Sequence, residues 1–168
     1  MPMLHQDFIT IQLPKNELVI MPTSVLTRLH QYRQLKFWHR EKGGIFLGRY
    51  RGQYIEVTDI TLPQHDDLSG RFFFNRCSPL HQQTAYTQWQ NSSSEITYVG
   101  EWHTHPEQFP NPSTQDISEW QSKLSGSFES MLLCIVGQST DWFGCFQDGV
   151  ISKEISSSFT SCTQNYQL

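Results

Sequence analysis

The chain carries two histidines two residues apart, in the string His103-Thr104-His105-Pro106, and six residues later the string Ser113-Thr114-Gln115-Asp116. Two imidazoles and a carboxylate form the kind of ligand set that holds a catalytic zinc ion while leaving its fourth position open to water. Residues i and i+2 of a strand point to the same side, so His103 and His105 can face one ion. Asp116 falls where a following helix would begin and can swing back to complete the set. Such a centre hydrolyses bonds. It also requires a general base and a donor for the developing oxyanion.

The same residues admit plainer roles. Ser113 and Asp116 have the spacing of a capping box, in which the hydroxyl and the acid reciprocally satisfy the first turn of a helix. A carboxylate engaged on a metal is less free to cap, so the two roles compete. Two glutamates compete as the base. Glu101 lies two residues before His103 on the same strand face. Glu41 is remote in sequence, but it places an acid at the end of a predicted helix, where the macrodipole disfavours negative charge. The following Gly43-Gly44 allow another backbone or a ligand to come close. A residue that breaks a local rule without visible reward is a functional suspect. Trp102 points away from the histidines and reads as core, and Trp120 as packing. His39 reads as a helix-end residue. His5, His30, His65 and His81 have no partners at ligand spacing and read as surface or packing residues.

The elements that must position this chemistry follow from periodicity. Residues 8–20 alternate weakly, as a strand with a turn near Pro14. Val25, Leu26, Leu29, Tyr32 and Leu35 recur at helical spacing and predict a long helix from about Met21 to Arg40, stopped by Gly43-Gly44. Strands over 45–50 and 54–62 form a hairpin around Arg51-Gly52-Gln53. A polar loop over 63–70 precedes Arg71-Phe72-Phe73-Phe74, which reads as a short buried strand. A helix over 78–91 presents Leu80, Ala85 and Trp89 inward. A strand over 95–102 runs into the histidines, and a helix over 113–123 carries the aspartate. Strands over 130–136 and 142–147 follow, with an Asp148-Gly149 turn into Val150-Ile151. The pattern predicts one α/β domain with a mixed sheet, the long helix on one side and the ligand-bearing helix on the other. Residues 1–152 form that domain and 153–168 a polar, mobile tail.

A chain of 168 residues can bury a core without disulfide or metal staples. Cys77, Cys134, Cys145 and Cys162 make no C-x-x-C pair, and Cys134 sits in an apolar run as a core residue. Residues 1–20 lack a charged leader followed by a long apolar stretch, and no segment approaches the roughly 20 apolar residues that span a bilayer. A cytoplasmic location without membrane partners is the expectation. The net charge of −4 argues against nucleic acid as a partner. Basic residues do cluster from Arg28 to Arg51. A solvated face is the default reading of such a run, and a patch for an acidic protein partner is the alternative.

Taken together, Glu41-Lys42-Gly43-Gly44-Ile45-Phe46-Leu47-Gly48, Val99-Gly100-Glu101-Trp102-His103-Thr104-His105-Pro106 and Ser113-x-x-Asp116 resemble the JAMM (JAB/MPN-domain) metalloproteases over about residues 18–150. The resemblance implies a cytidine-deaminase-like curved sheet and one zinc ion per chain on His103, His105 and Asp116. It implies Glu41 as the base that takes a proton from the attacking water and passes it to the leaving amine. Ser113 would be the oxyanion donor, and Glu101 loses its catalytic claim. Thr104 stands where serine is common. Such enzymes hydrolyse the bond after the C-terminal residue of ubiquitin-like or otherwise conjugated proteins, gripping an extended tail. The short loops and the Glu-Trp-His-Thr-His-Pro string are similar to stand-alone deconjugating peptidases of bacterial antiphage (CBASS) operons, where a nucleotidyltransferase is released from its targets. A peptidase trimming a ubiquitin-like or sulfur-carrier precursor is the neighbouring alternative. A non-catalytic interaction module fits less well, because it needs neither Glu41 nor Ser113. The sequence leaves oligomeric state open.

Overall fold

A computed structural model describes residues 6–161. The elements in order are β1 (Phe8–Gln12), a 3-10 turn (Pro14–Asn16), β2 (Leu18–Pro22), α1 (Thr23–His30), β3 (Gly43–Arg51), β4 (Tyr54–Ile60), β5 (Leu68–Gly70), β6 (Phe73–Asn75), α2 (Pro79–Asn91), β7 (Thr97–Thr104), α3 (Thr114–Leu124), β8 (Met131–Val136), β9 (Asp141–Gln147), β10 (Val150–Lys153) and β11 (Ser156–Thr160). Nine strands form one sheet in the order β10-β9-β8-β7-β3-β4-β2-β1-β11, and β5 and β6 form a separate hairpin. The sheet is mixed, with β2 parallel to β4 and β7 parallel to β8. Register shifts in β3 against both neighbours, near Phe46–Gly48, supply the bulges that bend such a sheet.

The interior strand β8 is buried along its whole length. Its alternate residues feed two cores. Leu132, Cys134 and Val136 join Val25 and Leu29 of α1, whereas Met131, Leu133 and Ile135 join Trp120 and Leu124 of α3. The two helices therefore cover opposite faces, as the sequence predicts. Among the described residues, no helix is long and apolar enough to cross a membrane.

Four expectations require correction. The helix predicted to reach Arg40 ends at His30, because Leu35, Phe37 and Trp38 are 61–77% exposed and offer no buried stripe to continue it. Gly43 and Gly44 do not cap a helix; they open β3 at a point of close packing. A Cβ on Gly44 would sit 2.2 Å from the Thr61 carbonyl oxygen, and one on Gly43 2.6 Å from the Trp102 carbonyl oxygen. The aromatic run 71–74 is not a buried strand, since β6 covers Phe73–Asn75 and Phe72 is exposed. The helix α2 turns Leu80 and Trp89 outward and buries His81.

The tail also departs in part. Ser156–Thr160 pairs along β1 as an edge strand, because extended backbone satisfies its polar groups in the ladder even where side chains stay exposed. Residues 162–168, with Cys162, and residues 1–5, with His5, lie outside the described residues.

Candidate metal centre

The strands β3 and β7 run antiparallel with Gly43 opposite His103 and Gly44 opposite Trp102. Extending that register by two residues sets Glu41 opposite His105, on the same face. The Thr104 amide donates to the Lys42 carbonyl at 2.8 Å, and the Lys42 amide donates to the Thr104 hydroxyl at 3.0 Å. That hydroxyl then donates to the Gln34 side-chain oxygen at 2.8 Å. Gln34 is fully buried, and its amide nitrogen donates to the carbonyls of His39 and Arg71 at 3.2 and 3.1 Å. The backbone carrying Glu41 is thus tied on both sides. Nothing in the sequence singles out Gln34, since a lone glutamine carries no spacing signal.

The two imidazole Nε2 atoms lie 3.0 Å apart. Asp116 places one carboxylate oxygen 3.2 Å from His103 Nε2 and the other 3.2 Å from His105 Nε2. A Glu41 oxygen stands 3.9 Å from His105 Nε2. Donors bound tetrahedrally at zinc distances of roughly 2.0–2.1 Å would be about 3.3 Å from one another. The His–His–Asp separations match that spacing, so these three residues fit a small dication. Glu41, His103 and His105 also form a compact buried group able to hold a metal. The shorter approach of Asp116 to both rings makes it the better third ligand, with Glu41 beside it.

The carboxyl groups differ electrostatically. Burial pushes Glu41 up to about 8, helped by neighbouring Asp116 and only partly opposed by His105. Burial also acts to raise Asp116, but hydrogen bonds from His103, His105 and the Ser113 amide outweigh it and hold the group far below the usual carboxylate range. Asp116 is therefore held as the carboxylate, whereas burial favours the protonated form of Glu41. That division suits a ligand and a base. His105 is raised, because Asp116, with Glu41 and Glu107, outweighs the effect of burial.

The helix α3 brings Ser113 and Asp116 to the rings. The Ser113 hydroxyl accepts from the Asp116 amide at 3.1 Å, and the Asp116 carboxylate accepts from the Ser113 amide at 2.7 Å, a complete capping box. Capping and presentation to the histidines are therefore simultaneous rather than competing. The oxygen that caps is the one nearest His105. With its lone pair engaged, the Ser113 hydroxyl keeps its proton for an incoming oxygen.

Glu101 is occupied elsewhere. One of its oxygens receives Arg76 at 2.7 Å and the Tyr98 hydroxyl at 2.6 Å, so its proximity in sequence does not translate into a free base. Trp102 packs in the core behind the histidines, and Trp120 flanks the His103 ring at a centroid distance of 5.7 Å. Glu107 carries no signal in the sequence. It reaches to 3.2 Å from His105 Nδ1, an atom that is otherwise buried without a hydrogen-bond partner. A carboxylate aligned behind an imidazole fixes its tautomer and orientation; here Glu107 is close to the ring nitrogen without that alignment.

A family described as prokaryotic homologs of the JAB domain matches residues 22–146. A protein of Escherichia coli (strain TW11681) named CD-NTase/cGAS isopeptidase is 41% identical over 129 residues, covering 77% of this chain and 81% of that protein. A protein of the same name from Vibrio cholerae serotype O1 (strain ATCC 39315 / El Tor Inaba N16961) is 40% identical over 127 residues, covering 76% and 81%. The solution structure of protein DSY2949 from Desulfitobacterium hafniense superposes with a TM-score of 0.55 at 18% identity, over 77% of this chain and 85% of that one, a likeness of fold. The curved mixed sheet, the β3–β7 register and these matches together place the chain in the prokaryotic JAB-domain family.

Proposed function

We propose that this protein is a zinc-dependent isopeptidase that hydrolyses the amide bond after the C-terminal residue of a conjugated protein. The substrate class is a CD-NTase released from its targets, as the names of the 41% and 40% identical relatives suggest. A cytoplasmic role in antiphage defence goes with that reading. The observation that carries it is the meeting of His103, His105 and Asp116 within 3.2 Å of one another, with the buried Glu41 carboxyl 3.9 Å from His105 Nε2.

His103, His105 and Asp116 would hold the zinc ion. The ion would polarise the scissile carbonyl and bring the pKa of water to about 7. Glu41 accepts a proton from the attacking water and delivers it to the departing amine. Its burial keeps the carboxyl basic enough for the first transfer and acidic enough for the second. Ser113 donates its hydroxyl proton to the carbonyl oxygen as charge develops there. Glu107 would steady His105 from behind once its carboxylate, 3.2 Å from Nδ1, aligns with that nitrogen.

The test offers the purified protein a CD-NTase joined through its C-terminal residue to a reporter, by a linear bond in one arm and a lysine side-chain bond in the other. Cleavage is expected only in zinc-loaded samples, with mass spectrometry showing an intact CD-NTase C-terminus. A Glu41→Gln variant with unchanged zinc content should lose at least about 100-fold in rate. Cleavage indifferent to a chelator, or full activity without Glu41, would overturn the reading. Preference for the linear arm would favour a processing peptidase instead.

A further inference from the structure

The segment that fails to continue α1 is not idle surface. Between His30 and Glu41 the chain exposes Leu35, Phe37 and Trp38, and the β5–β6 turn beside it exposes Phe72. The two pieces are knitted together. Arg71 donates to the carbonyls of Lys36 and Phe37, Arg40 donates to the Ser69 carbonyl at 3.2 Å, and the Glu41 amide donates to the Gly70 carbonyl at 2.8 Å. Phe37 and Trp38 meet edge to face at 5.0 Å, Lys36 lies over the Trp38 ring, and Arg71 lies over Phe72. A cavity of about 370 Å³ opens under this ledge, lined by Tyr32, Trp38, Arg40 and Lys42 among others. Contiguous exposed aromatics of this kind mark contact surfaces rather than solvated loops.

The charge on the ledge is one-sided. Lys36, Arg40, Lys42 and Arg71 form no ion pair with any carboxylate among the described residues, whereas Arg28, Arg33, Arg49, Arg51 and Arg76 all do. The chain as a whole carries −4, so without these four cations it would carry −8. Positive charge left uncompensated in an otherwise acidic protein favours an acidic occupant. The ledge is also continuous with the candidate centre. Trp38 precedes Glu41 by three residues, a span of at most about 10 Å even when fully extended.

We propose that this aromatic, basic ledge docks the folded body of the conjugated protein, through an acidic surface around an apolar protrusion, while that protein's tail enters the metal centre. The proposal rests on the function given above. Docking adds affinity for the whole conjugate and none for an isolated tail.

The experiment compares two substrates, the CD-NTase–reporter fusion and a fluorogenic peptide of its C-terminal tail, on wild type and on Trp38→Ala, Lys36→Glu and Lys36→Arg. In parallel, each protein is titrated for binding to the CD-NTase alone. Trp38→Ala and Lys36→Glu should raise KM for the fusion about 10-fold with kcat within twofold, and leave peptide hydrolysis unchanged. Lys36→Arg should behave as wild type, and fusion KM should rise with added salt. Equal effects on both substrates, or no effect on the fusion, would overturn the proposal. So would binding of a labelled single-stranded oligonucleotide that Lys36→Glu abolishes while fusion KM stays constant, which would make the ledge a nucleic-acid surface. If wild type cleaves neither substrate, the isopeptidase reading fails, and the binding titration alone decides the docking. Binding weakened about 10-fold by Trp38→Ala sustains it; absent or unaltered binding ends it.

Discussion

Among the described residues, two buried clusters of histidine and carboxylate are built on opposite principles. At His81 the ring Nδ1 meets the Thr61 hydroxyl at 2.6 Å and Nε2 meets Asp67 at 2.9 Å. The Asp67 carboxylate also receives the backbone amides of Gln64, Cys77 and Ser78. The Thr61 hydroxyl receives the Ile45 amide as well. Both ring nitrogens, both Asp67 oxygens and the Thr61 hydroxyl are satisfied, and the cluster pins the 61–78 loop to α2. At the other cluster, the two Nε2 atoms point at one another with a carboxylate astride them, and His105 Nδ1 lacks a well-aligned bond. The lesson is chemical. A histidine with a separate partner on each ring nitrogen holds the fold, whereas two histidines that converge on one shared carboxylate, with a buried ring nitrogen left unbonded, are arranged for a ligand.

The largest test of that contrast removes the ligand set. Asp116→Ala should abolish zinc retention and activity, because two imidazoles alone cannot hold the ion, and it should also cost the α3 cap about 1 kcal/mol. Metal analysis alongside thermal melting separates the two effects. Ser113→Ala should next lower kcat on the order of 100-fold with zinc content unchanged. A loss confined to KM would remove its oxyanion role.

The satisfied cluster should respond in the other currency. His81→Leu strands a buried Asp67 carboxylate and should lower stability by roughly 2–4 kcal/mol. Zinc affinity of the folded fraction should be retained. If His81→Leu strips zinc as effectively as Asp116→Ala, the distinction between the clusters is wrong.

The smallest effect is a pH signature. Burial acts to raise Asp67, but its hydrogen bonds with His81, Ser78 and Gln64 outweigh that and lower it. Its contribution is therefore complete above its unfolded pKa near 3.8 and fades as acid is added. Glu41 has the opposite sign. Raised from 4.5 to about 8, its contribution is complete below 4.5 and is lost as pH climbs through 8. Metal-free Glu41→Gln should therefore melt like the wild type at pH 5 and above it at pH 8.5, by on the order of 5 °C. Parallel melting curves across that range would contradict the buried, protonated state of Glu41.

What could be seen in advance was uneven for identifiable reasons. His103, His105, Ser113 and Asp116 lie within fourteen residues on a strand and the helix after it, so local geometry alone predicted their meeting. Glu41 was only a suspect on physical grounds, since nothing local joins it to residue 105. The β3–β7 register does that. Glu107 and Gln34 gave no signal, because single polar residues acquire roles only from what they touch.

The helix that stops at His30 shows the other limit. Its apolar spacing continued, but spacing states only which residues share a face, not whether anything covers that face. Composition and period therefore determined most strands of the large sheet, the α/β class and a candidate ligand set gathered in one short stretch, since each depends on neighbours a few residues apart. Tertiary structure alone decided which glutamate faces the rings, which histidines are satisfied and where Phe37 and Trp38 are left in solvent. Those outcomes depend on contacts between segments tens of residues apart, and no local preference encodes them.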